Sequence, residues 1–293
     1  RLRSFLQVVI TICTAVMMYK FYQFFKADIE HNIAIFYSKR GNWDQALVHY
    51  NLVKKYNPYY IMTHYFMGNV FNDRFNLTKT FHPEWGDRVL TPEEFEELKR
   101  KYGEDYVHND NREFRYNPET GMYEEYRNDA QRALDKYDDL RKLAPNYVQM
   151  HHQVGLVYLK LGQAAERRGE LDKARKYWLK ALENFKKYYH IDPVFKQNYF
   201  RMAWIYIKLG DLKKAEDTYR EYIEARQCCR PEHDILRENW AKTHRHHDPE
   251  AYVNLGNVLY YEAREAQSKG DMQEVQRKLR EAEEAYRNAL KYS

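Results

Sequence analysis

The stretch KQNYFRMAWIYIKLGDLKKAEDTYREYIEAR, residues Lys196–Arg226, decides the fold. Its first half places apolar and aromatic side chains three and four residues apart, which is the spacing of one helix face. Its second half repeats that spacing after the pair Gly210-Asp211. Glycine ends a helix well because it adopts the left-handed backbone conformation without strain. The stretch therefore predicts two antiparallel helices joined by a tight turn.

The same arrangement recurs along the chain. Small residues such as Ala203 and Ala215 fall where two antiparallel helices must approach closely, and aromatic residues follow at fixed distances. The pattern begins again at four other positions: Ala27, Ile61, Val148 and Pro249. A helix pair of this length cannot bury its apolar face alone and needs neighbours of the same kind. The sequence therefore predicts an array of helical hairpins.

The unit resembles the tetratricopeptide repeat, about 34 residues with small and aromatic residues at fixed places. The resemblance implies an all-α, TPR-type helical-hairpin solenoid of about five repeats, whose first helices line a concave groove. We expect the solenoid to occupy residues 27–293, interrupted by an insertion at 73–126 in the second repeat and by a linker at 227–248. The repeats from Val148 and Pro249 have delayed turn glycines, which predicts helices about two turns longer.

The composition excludes some classes of partner and gives no sign of a disulfide scaffold. The 48 basic and 43 acidic residues are mixed along the chain, with a formal net charge of +5. Nucleic-acid binders gather basic side chains on one face, and no such block is visible, so we expect no nucleic-acid partner. The repeat, whose packing positions take Tyr or Phe, largely explains the 28 tyrosines, and three cysteines give no disulfide framework.

Residues 1–26 are the apolar part of the chain. The run FLQVVITICTAVMMY, residues 5–19, is short for a membrane span of about 20 residues. Lys20 and the aromatic residues around it would extend the segment to the membrane interface. We expect a transmembrane helix; a signal peptide and a buried helix that caps the solenoid are the alternatives. The flanking basic residues are balanced and leave the orientation open: Arg1 and Arg3, Lys20 and Lys26.

The insertion has local signals of its own. Thr91-Pro92-Glu93-Glu94 combines a capping residue, a first-turn proline and a capping-box glutamate, which predicts a helix to about Lys101. Segments 112–116 and 122–126 flank a turn that contains proline and glycine, which predicts a small β-hairpin. We expect the aromatic residues of the insertion to fold onto the solenoid.

No stretch of the sequence has a catalytic signature such as a phosphate loop, an HExxH motif or a nucleophile elbow. We therefore expect no enzyme activity and no cofactor for this chain. Two polar clusters are the candidate acid–base or metal sites: His82, Glu84 and Asp87 in the insertion, and Cys228, Cys229, His233, His244, His246 and His247 in the linker. Structural zinc sites use short, regular ligand pairs, so we expect a structural loop and a polar connector without metal.

The groove that the resemblance implies is the predicted binding site. The repeat register projects these residues onto it: His31, Tyr65, Asn69, Asn72, His152, Phe200, Trp204, Asn257 and Tyr260. Asparagine carries donors and an acceptor that suit an extended peptide backbone. We expect a protein or peptide partner, while a glycan on the aromatic side chains stays open. The two-lysine clamp of the family's chaperone-tail binders is not matched, since His31, Tyr65 and His152 stand at those positions.

Four segments resemble a narrower group: HNIAIFYSKRGNWDQALVHYNLVKKYNP, HYFMGNVFNDR, FHPEWGD and APNYVQMHHQVG. They resemble the TPR tails behind the last membrane helix of bacterial O-antigen ligase-like and polymerase-like proteins. The resemblance implies an accessory tail at the bacterial inner membrane, with the solenoid in the periplasm and a catalytic membrane part before Arg1. The chain begins with Arg, so we expect a piece of a longer protein. The alternative is a stand-alone, membrane-anchored assembly adaptor.

Overall fold

The computed structural model describes residues 2–77, 85–109, 112–126, 128–193, 195–228 and 248–293. The described helices are α1 Leu2–Lys39, α2 Trp43–Tyr56, α3 Ile61–Leu77, α4 Pro92–Tyr102, α5 Glu104–Val107, α6 Asp129–Leu143, α7 Val148–Arg167, α8 Leu171–Ile191, α9 Lys196–Leu209, α10 Leu212–Cys228, α11 Pro249–Ser268 and α12 Met272–Tyr292. The described strands are β1 Trp85–Leu90, β2 His108–Asn109, β3 Arg112–Asn117 and β4 Met122–Tyr126. The chain divides into two compact units, Arg1–Ala174 and Arg175–Ser293.

The predicted fold class is confirmed: helical hairpins follow a long apolar first helix, with a small insertion that contains strands. At the decisive turn, Gly210 is left-handed with φ +79°, and its N–H donates to the carbonyl oxygens of Tyr206 and Ile207. The Asp211 N–H also donates to the Tyr206 oxygen, which closes α9 before α10 begins. The longer helices are also confirmed, because α7 has 20 residues and α12 has 21, against 14 in α9.

The first unit has one main core, formed by the α1–α2 hairpin and by α3, α6 and α7. Ala34, Leu47, Tyr50, Phe71 and Tyr137 are almost completely buried in it. Helices α3 and α6 pack together as one hairpin, although the whole insertion lies between them in sequence. The second repeat is therefore split in sequence but complete in space.

A buried ion pair joins the two ends of that split. Arg74, in the last turn of α3, is 2% exposed, and Asp129, the first residue of α6, is fully buried. The Arg74 Nε and Nη2 groups donate to the two Asp129 carboxylate oxygens at 2.9 and 2.6 Å. Arg74 Nη1 also donates to Asp44 of α2 at 3.0 Å. This bidentate pair fixes both stems of the insertion.

The linker ends in a similar way in the second unit. Asp248 caps the N-terminus of α11, where its side chain accepts from the Glu250 N–H. Lys196 of α9 donates to the Asp248 carboxylate at 2.7 Å, and the Tyr222 hydroxyl of α10 donates to it at 2.9 Å. The chain therefore returns from residues 229–247 to a position that the preceding hairpin already fixes.

The insertion has its own small core, so the expectation that its aromatic residues fold onto the solenoid is corrected for Phe95, Phe114 and Tyr123, whereas Phe75 does pack in the core of the helical hairpins. Its strands form an antiparallel sheet in the order β1-β4-β3-β2. The Phe95 ring of α4 stacks on Tyr123 at 3.9 Å, and Phe114 lies 6.0 Å from Phe95. The predicted helix, its capping box and the hairpin are confirmed, whereas strand β1 is an element that the sequence did not predict.

The apolar N-terminal segment and the first repeat helix are one helix. Helix α1 runs without a break from Leu2 to Lys39. Among the described residues, it is the one helix long and apolar enough to cross a membrane, and its apolar window makes no packing contacts that bury it. Burial begins at Ala27, where α1 packs on α2. An apolar helix therefore continues directly into the first hairpin.

The Arg74–Asp129 pair predicts a large effect from a single truncation. We expect Arg74→Ala to lower the free energy of unfolding by about 3–5 kcal/mol, because it leaves Asp129 charged and buried without its bidentate partner. Asp44→Ala is the matched control: its carboxylate accepts from the same arginine but is about half exposed, so the loss should be below about 1 kcal/mol. Urea unfolding followed by circular dichroism measures both, and equal losses would contradict the assignment.

Candidate functional site

The sequence placed groove residues on the first helices of the repeats, and the structure buries three of them. His31 is 5% exposed, and its ring packs against Tyr60 and Phe66 at 4.8 and 5.2 Å. Burial lowers the pKa of His31 although the charge of Asp28 opposes the shift, which favours the neutral form of the ring. His152 and Asn72 are also buried. These three side chains therefore offer little surface to a partner.

Asn72 is engaged within the first unit. Lys160 of α7 donates to the Asn72 carbonyl and side-chain oxygens at 3.1 and 2.5 Å. The Asn72 amide in turn donates to Gln153 at 3.1 Å. Its donors and acceptor are used to join α3 to α7, and the sequence register did not anticipate this role. Tyr65 is partly buried nearby, with its ring 5.1 Å from Tyr147.

Asn69 and Asn257 occupy the same kind of site in the two units. In each, a glycine precedes the asparagine, and the ring of a tyrosine from the second helix of the hairpin lies against that glycine. The Tyr137 hydroxyl donates to Asn69 Oδ1 at 2.8 Å, and the Tyr286 hydroxyl donates to Asn257 Oδ1 at 2.8 Å. We call this the Gly-Asn-Tyr lock.

The lock fixes the orientation of both asparagine side chains. Because each Oδ1 accepts from a tyrosine hydroxyl, each Nδ2 group is turned away from that hydroxyl with its two donors. Asn257 is exposed and Asn69 is partly buried. In each of these two hairpins, the two amide donors are held in one orientation. They can donate to a peptide carbonyl without a change of side-chain rotamer.

The glycine of the lock has no room for a side chain, which predicts an asymmetry between the two copies. A Cβ at Gly68 would lie 2.5 Å from the Tyr137 ring, and one at Gly256 would lie 2.6 Å from the Tyr286 ring. Tyr137 is buried and cannot shift, whereas Tyr286 is partly exposed. We expect Gly68→Ala to cost about 1–3 kcal/mol of stability and Gly256→Ala distinctly less. Thermal unfolding compares them, and a larger cost for Gly256→Ala would refute the asymmetry.

In the second unit, Phe200 and Trp204 form a half-exposed aromatic face on α9. The Phe200 ring contacts Tyr219 and Tyr222 edge-on at 5.4 and 5.6 Å. Trp204 meets the buried Trp178 of α8 edge-on at 6.0 Å. Both rings are therefore anchored by packing and remain partly exposed. Such rigid, partly exposed aromatic side chains dominate many binding hot spots.

Two lysines flank this aromatic face. Lys196 Nζ lies 4.9 Å from the centre of the Phe200 ring, and Lys208 Nζ lies 5.3 Å from the centre of the Trp204 ring. These cation–π contacts hold the ammonium groups over the rings. A partner that presents an apolar or aromatic side chain matches this chemistry, since the Lys196 ammonium is already paired with Asp248 and Glu250.

Helix α11 adds exposed aromatic area to the second unit. Tyr260 is 45% exposed, and Tyr261 beside it is exposed to nearly the same degree. Their rings lie 6.3 Å apart. Tyr260 is a residue that the register projected onto the groove, while Tyr261 was missed because the next position around a helix points about 100° away.

An open cleft of about 540 Å³ lies among α10, α11 and α12. Its apolar floor includes Tyr252, Leu255 and Leu259, and its rim is charged, with Glu224 and Glu284 among the carboxylates. The sequence did not predict this cleft, since its walls come from second helices as well as first helices. It is a second surface of the unit that suits a polar chain segment.

A charge network around the buried Lys278 adjoins this cleft, and its members Glu216, Arg220 and Glu281 line the cleft. Lys278 Nζ lies 2.8 Å from a Glu216 oxygen and 2.5 Å from a Glu262 oxygen, and all three side chains are at most about a tenth exposed. Arg220 donates to Glu216 at 2.6 Å and to Glu281 at 2.7 Å. A sequence signal for this network exists: Lys278 occupies the buried stripe of α12 between Val275 and Ala282.

The two carboxylates of the network differ in pKa. Burial by itself would raise the pKa of Glu216, but the hydrogen bonds from Lys278 and Arg220 outweigh it and lower the pKa to about 2. Burial raises the pKa of Glu262, where the Lys278 hydrogen bond opposes it and the neighbouring Glu216 charge adds to it. Glu216 is therefore the carboxylate that holds the network in its charged form.

This difference predicts an acid transition. The pKa of Glu216 is lowered on folding, so its stabilisation is present above the ordinary glutamate pKa of 4.5 and is lost as the pH falls towards about 2. We expect Glu216→Gln to remove roughly 2–3 kcal/mol at pH 7 and to flatten the stability curve between pH 4.5 and 2. Glu262→Gln is the control and should cost less at pH 7. An unchanged acid limb in Glu216→Gln would contradict the assignment.

The two polar clusters that the sequence offered as acid–base or metal sites lie almost entirely outside the described residues. His82, Glu84, Cys229 and the four linker histidines fall outside the described residues, as do the side chains of Asp87 and Cys228. Within the described ranges, no three His, Cys, Asp or Glu side chains converge as metal ligands.

Comparison with known proteins identifies the repeat type. Residues 153–227 match the family model for the tetratricopeptide repeat, so this segment, which includes the decisive stretch, is a tetratricopeptide region. No curated protein matches the chain.

Solved structures with a similar course of the chain include tetratricopeptide proteins. MamA protein, in its crystal structure, has 13% sequence identity to this chain. The match covers 92% of this chain and 96% of the MamA chain, with a TM-score of 0.48. TTC0263, a thermophilic TPR protein in Thermus thermophilus, is 15% identical, covering 91% and 94%, with a TM-score of 0.40. YrrB, a TPR protein with an unusual peptide-binding site, is 13% identical, covering 89% of each chain, with a TM-score of 0.43.

Proposed function

We propose that this chain is a membrane-tethered scaffold that binds a protein or peptide through its tetratricopeptide hairpins. The observation on which the proposal depends is the aromatic face of α9. Phe200 and Trp204 are anchored by packing on one side and half exposed on the other, with an ammonium group over each ring. This combination suits a peptide that presents an apolar or aromatic side chain to the two rings.

Two neighbouring features of the second unit support an extended ligand. Asn257 presents a donor pair that its lock with Tyr286 holds in place. Tyr260 adds exposed aromatic area one turn further along α11. An extended peptide needs backbone donors at intervals and shallow apolar contacts between them. Sugar rings also stack on aromatic side chains, so a glycan is the other ligand class to be tested.

The tether is helix α1. Its apolar residues are exposed along the segment before Ala27, and the helix then becomes the first helix of the first hairpin. Exposed apolar area of this extent is covered in a stable protein, and its length suits a bilayer. The hairpins would then be held at a membrane surface by a continuous helix.

Within this proposal, the biological setting is an accessory region of an envelope glycan protein of the O-antigen ligase-like kind. The supporting observation is the resemblance of segments 31–58 and 144–155, together with a helix α1 that could follow a membrane domain directly. A stand-alone membrane-anchored adaptor is the alternative. The reading frame upstream of Arg1 decides: about ten further apolar spans favour the first, and their absence favours the second.

The binding proposal predicts the effect of Trp204→Ala. Peptides are selected from a random displayed library against the full 293-residue chain in lipid nanodiscs, with empty nanodiscs as background. We expect Trp204→Ala to weaken the selected peptides at least about tenfold, because the anchored ring is a hot-spot contact. Leu179→Ala, which removes an exposed side chain on α8, is the matched control and should leave the affinity unchanged.

Two results would overturn the peptide proposal. One is that no peptide is enriched above the empty nanodiscs. The other is that selected peptides bind Trp204→Ala as well as the unmodified chain, while circular dichroism shows the same fold. An oligosaccharide array probed with the same variants tests the glycan, which is assigned if Trp204→Ala abolishes binding there instead.

A further inference from the structure

The packing of α1 changes near Lys26 and Ala27, where one side of the helix becomes buried. Large apolar side chains from Phe5 to Phe25 are exposed, and burial begins at Lys26 and Ala27. A helix rises 1.5 Å per residue, so the exposed segment is about 30 Å long, the thickness of a hydrocarbon core. If α1 spans a bilayer, Lys26 lies at the level of the lipid headgroups.

Helix α2 returns to that same level. It packs antiparallel on α1, as the 2.6 Å contact between Glu30 and His49 shows partway along the pair. At the end of α2, the Tyr56 ring lies 5.2 Å from the ammonium group of Lys26. The same ammonium lies 5.1 Å from the ring of Tyr22. The C-terminus of α2 therefore ends beside the boundary of the apolar segment.

The loop after α2 is held in one conformation. The Asn57 side-chain oxygen accepts from the Tyr59 N–H at 3.2 Å, and the Asn57 carbonyl accepts from the Tyr60 N–H at 3.1 Å. The Tyr60 ring packs on His31 of α1 at 4.8 Å. Tyr59, in contrast, is 80% exposed. The loop is thus fixed to α1 while one tyrosine projects from it.

The loop segment itself carries basic side chains and no acidic ones. The segment KKYNPYYIM, residues 54–62, has no acidic residue and begins with Lys54 and Lys55 in the last turn of α2. Asp28 of α1 faces the segment, and its charge adds to burial in raising the pKa of Tyr60. Tyrosine is enriched at membrane interfaces, and lysines near a bilayer surface are attracted to anionic lipids.

We propose that the α2–α3 loop, Tyr56–Ile61, is a second membrane contact, with Tyr59 in the headgroup layer of the bilayer that holds α1. Lys54 and Lys55 meet anionic headgroups beside it. The inference rests on the proposed membrane insertion of α1. A single helix leaves the hairpins to tilt about the membrane, whereas a helix and a loop on the same surface fix the direction in which the first hairpin points.

The test measures depth at three sites of the full chain in vesicles of phosphatidylcholine and phosphatidylglycerol. Cys13, Cys228 and Cys229 are replaced by serine except where Cys13 itself is the probe site. An environment-sensitive fluorophore is attached at Cys13, at Tyr59→Cys or at Asn42→Cys. Asn42 is an exposed turn residue at the other end of the same hairpin, about 20 Å further along the helix axis, and serves as the matched control.

We expect the probe at 13 to be quenched by nitroxides in the acyl chains and the probe at 59 by nitroxides in the headgroups. Quenching at 59 should exceed that at 42 by about twofold or more, since an interfacial side chain lies within reach of headgroup labels. Replacing both lysines, Lys54→Gln with Lys55→Gln, should reduce quenching at 59 and leave 13 unchanged.

The outcomes separate the two proposals. If the probe at 13 is deep and the probe at 59 behaves like the probe at 42, the loop contact is refuted while the membrane tether stands. If the probe at 13 is in water, the tether is refuted, and the loop contact that depends on it falls with it.

Discussion

The buried pair between Arg74 and Asp129 is the interaction on which the first unit depends. A repeat that is split by an insertion must close across two stems, and the entropy cost of that closure grows only slowly with the length of the insertion. The bidentate geometry joins the last turn of α3 to the first residue of α6 and leaves neither charge unpaired. With the stems fixed, the insertion can fold around Phe95, Phe114 and Tyr123 without disturbing the hairpin.

The same device appears where the linker ends. Asp248 is the first fixed point after residues 229–247, and Lys196 and Tyr222 of the preceding hairpin donate to it. Both interruptions of the array thus return to an aspartate at a helix N-terminus, where a carboxylate also meets the positive end of the helix dipole. Long interruptions are tolerated because side-chain contacts fix the residue at which each following helix begins, whatever the length of the segment before it.

The residues that we propose for binding lie at positions that packing leaves partly uncovered. Asn69 and Asn257 have their oxygens held by tyrosine hydroxyls and their amide donors directed elsewhere. Phe200 and Trp204 rest on packed rings and keep an outer face. The side chains that we propose for binding therefore also pack in the scaffold. The stability of each variant at these positions must be measured together with its binding.

The sequence by itself determined the hairpins, their turn glycines, the lengthened helices, the capping box after Thr91 and the β-hairpin, because spacing and turn chemistry are local. It also placed Asn257, Phe200, Trp204 and Tyr260 on helix faces with exposed surface. It could not tell that His31, Asn72 and His152 are buried, since a face is covered or open according to which other elements pack on it. Tertiary structure alone decided the partners of Arg74, Lys278 and Asp248, because a charge at a core position is paired by residues distant in sequence.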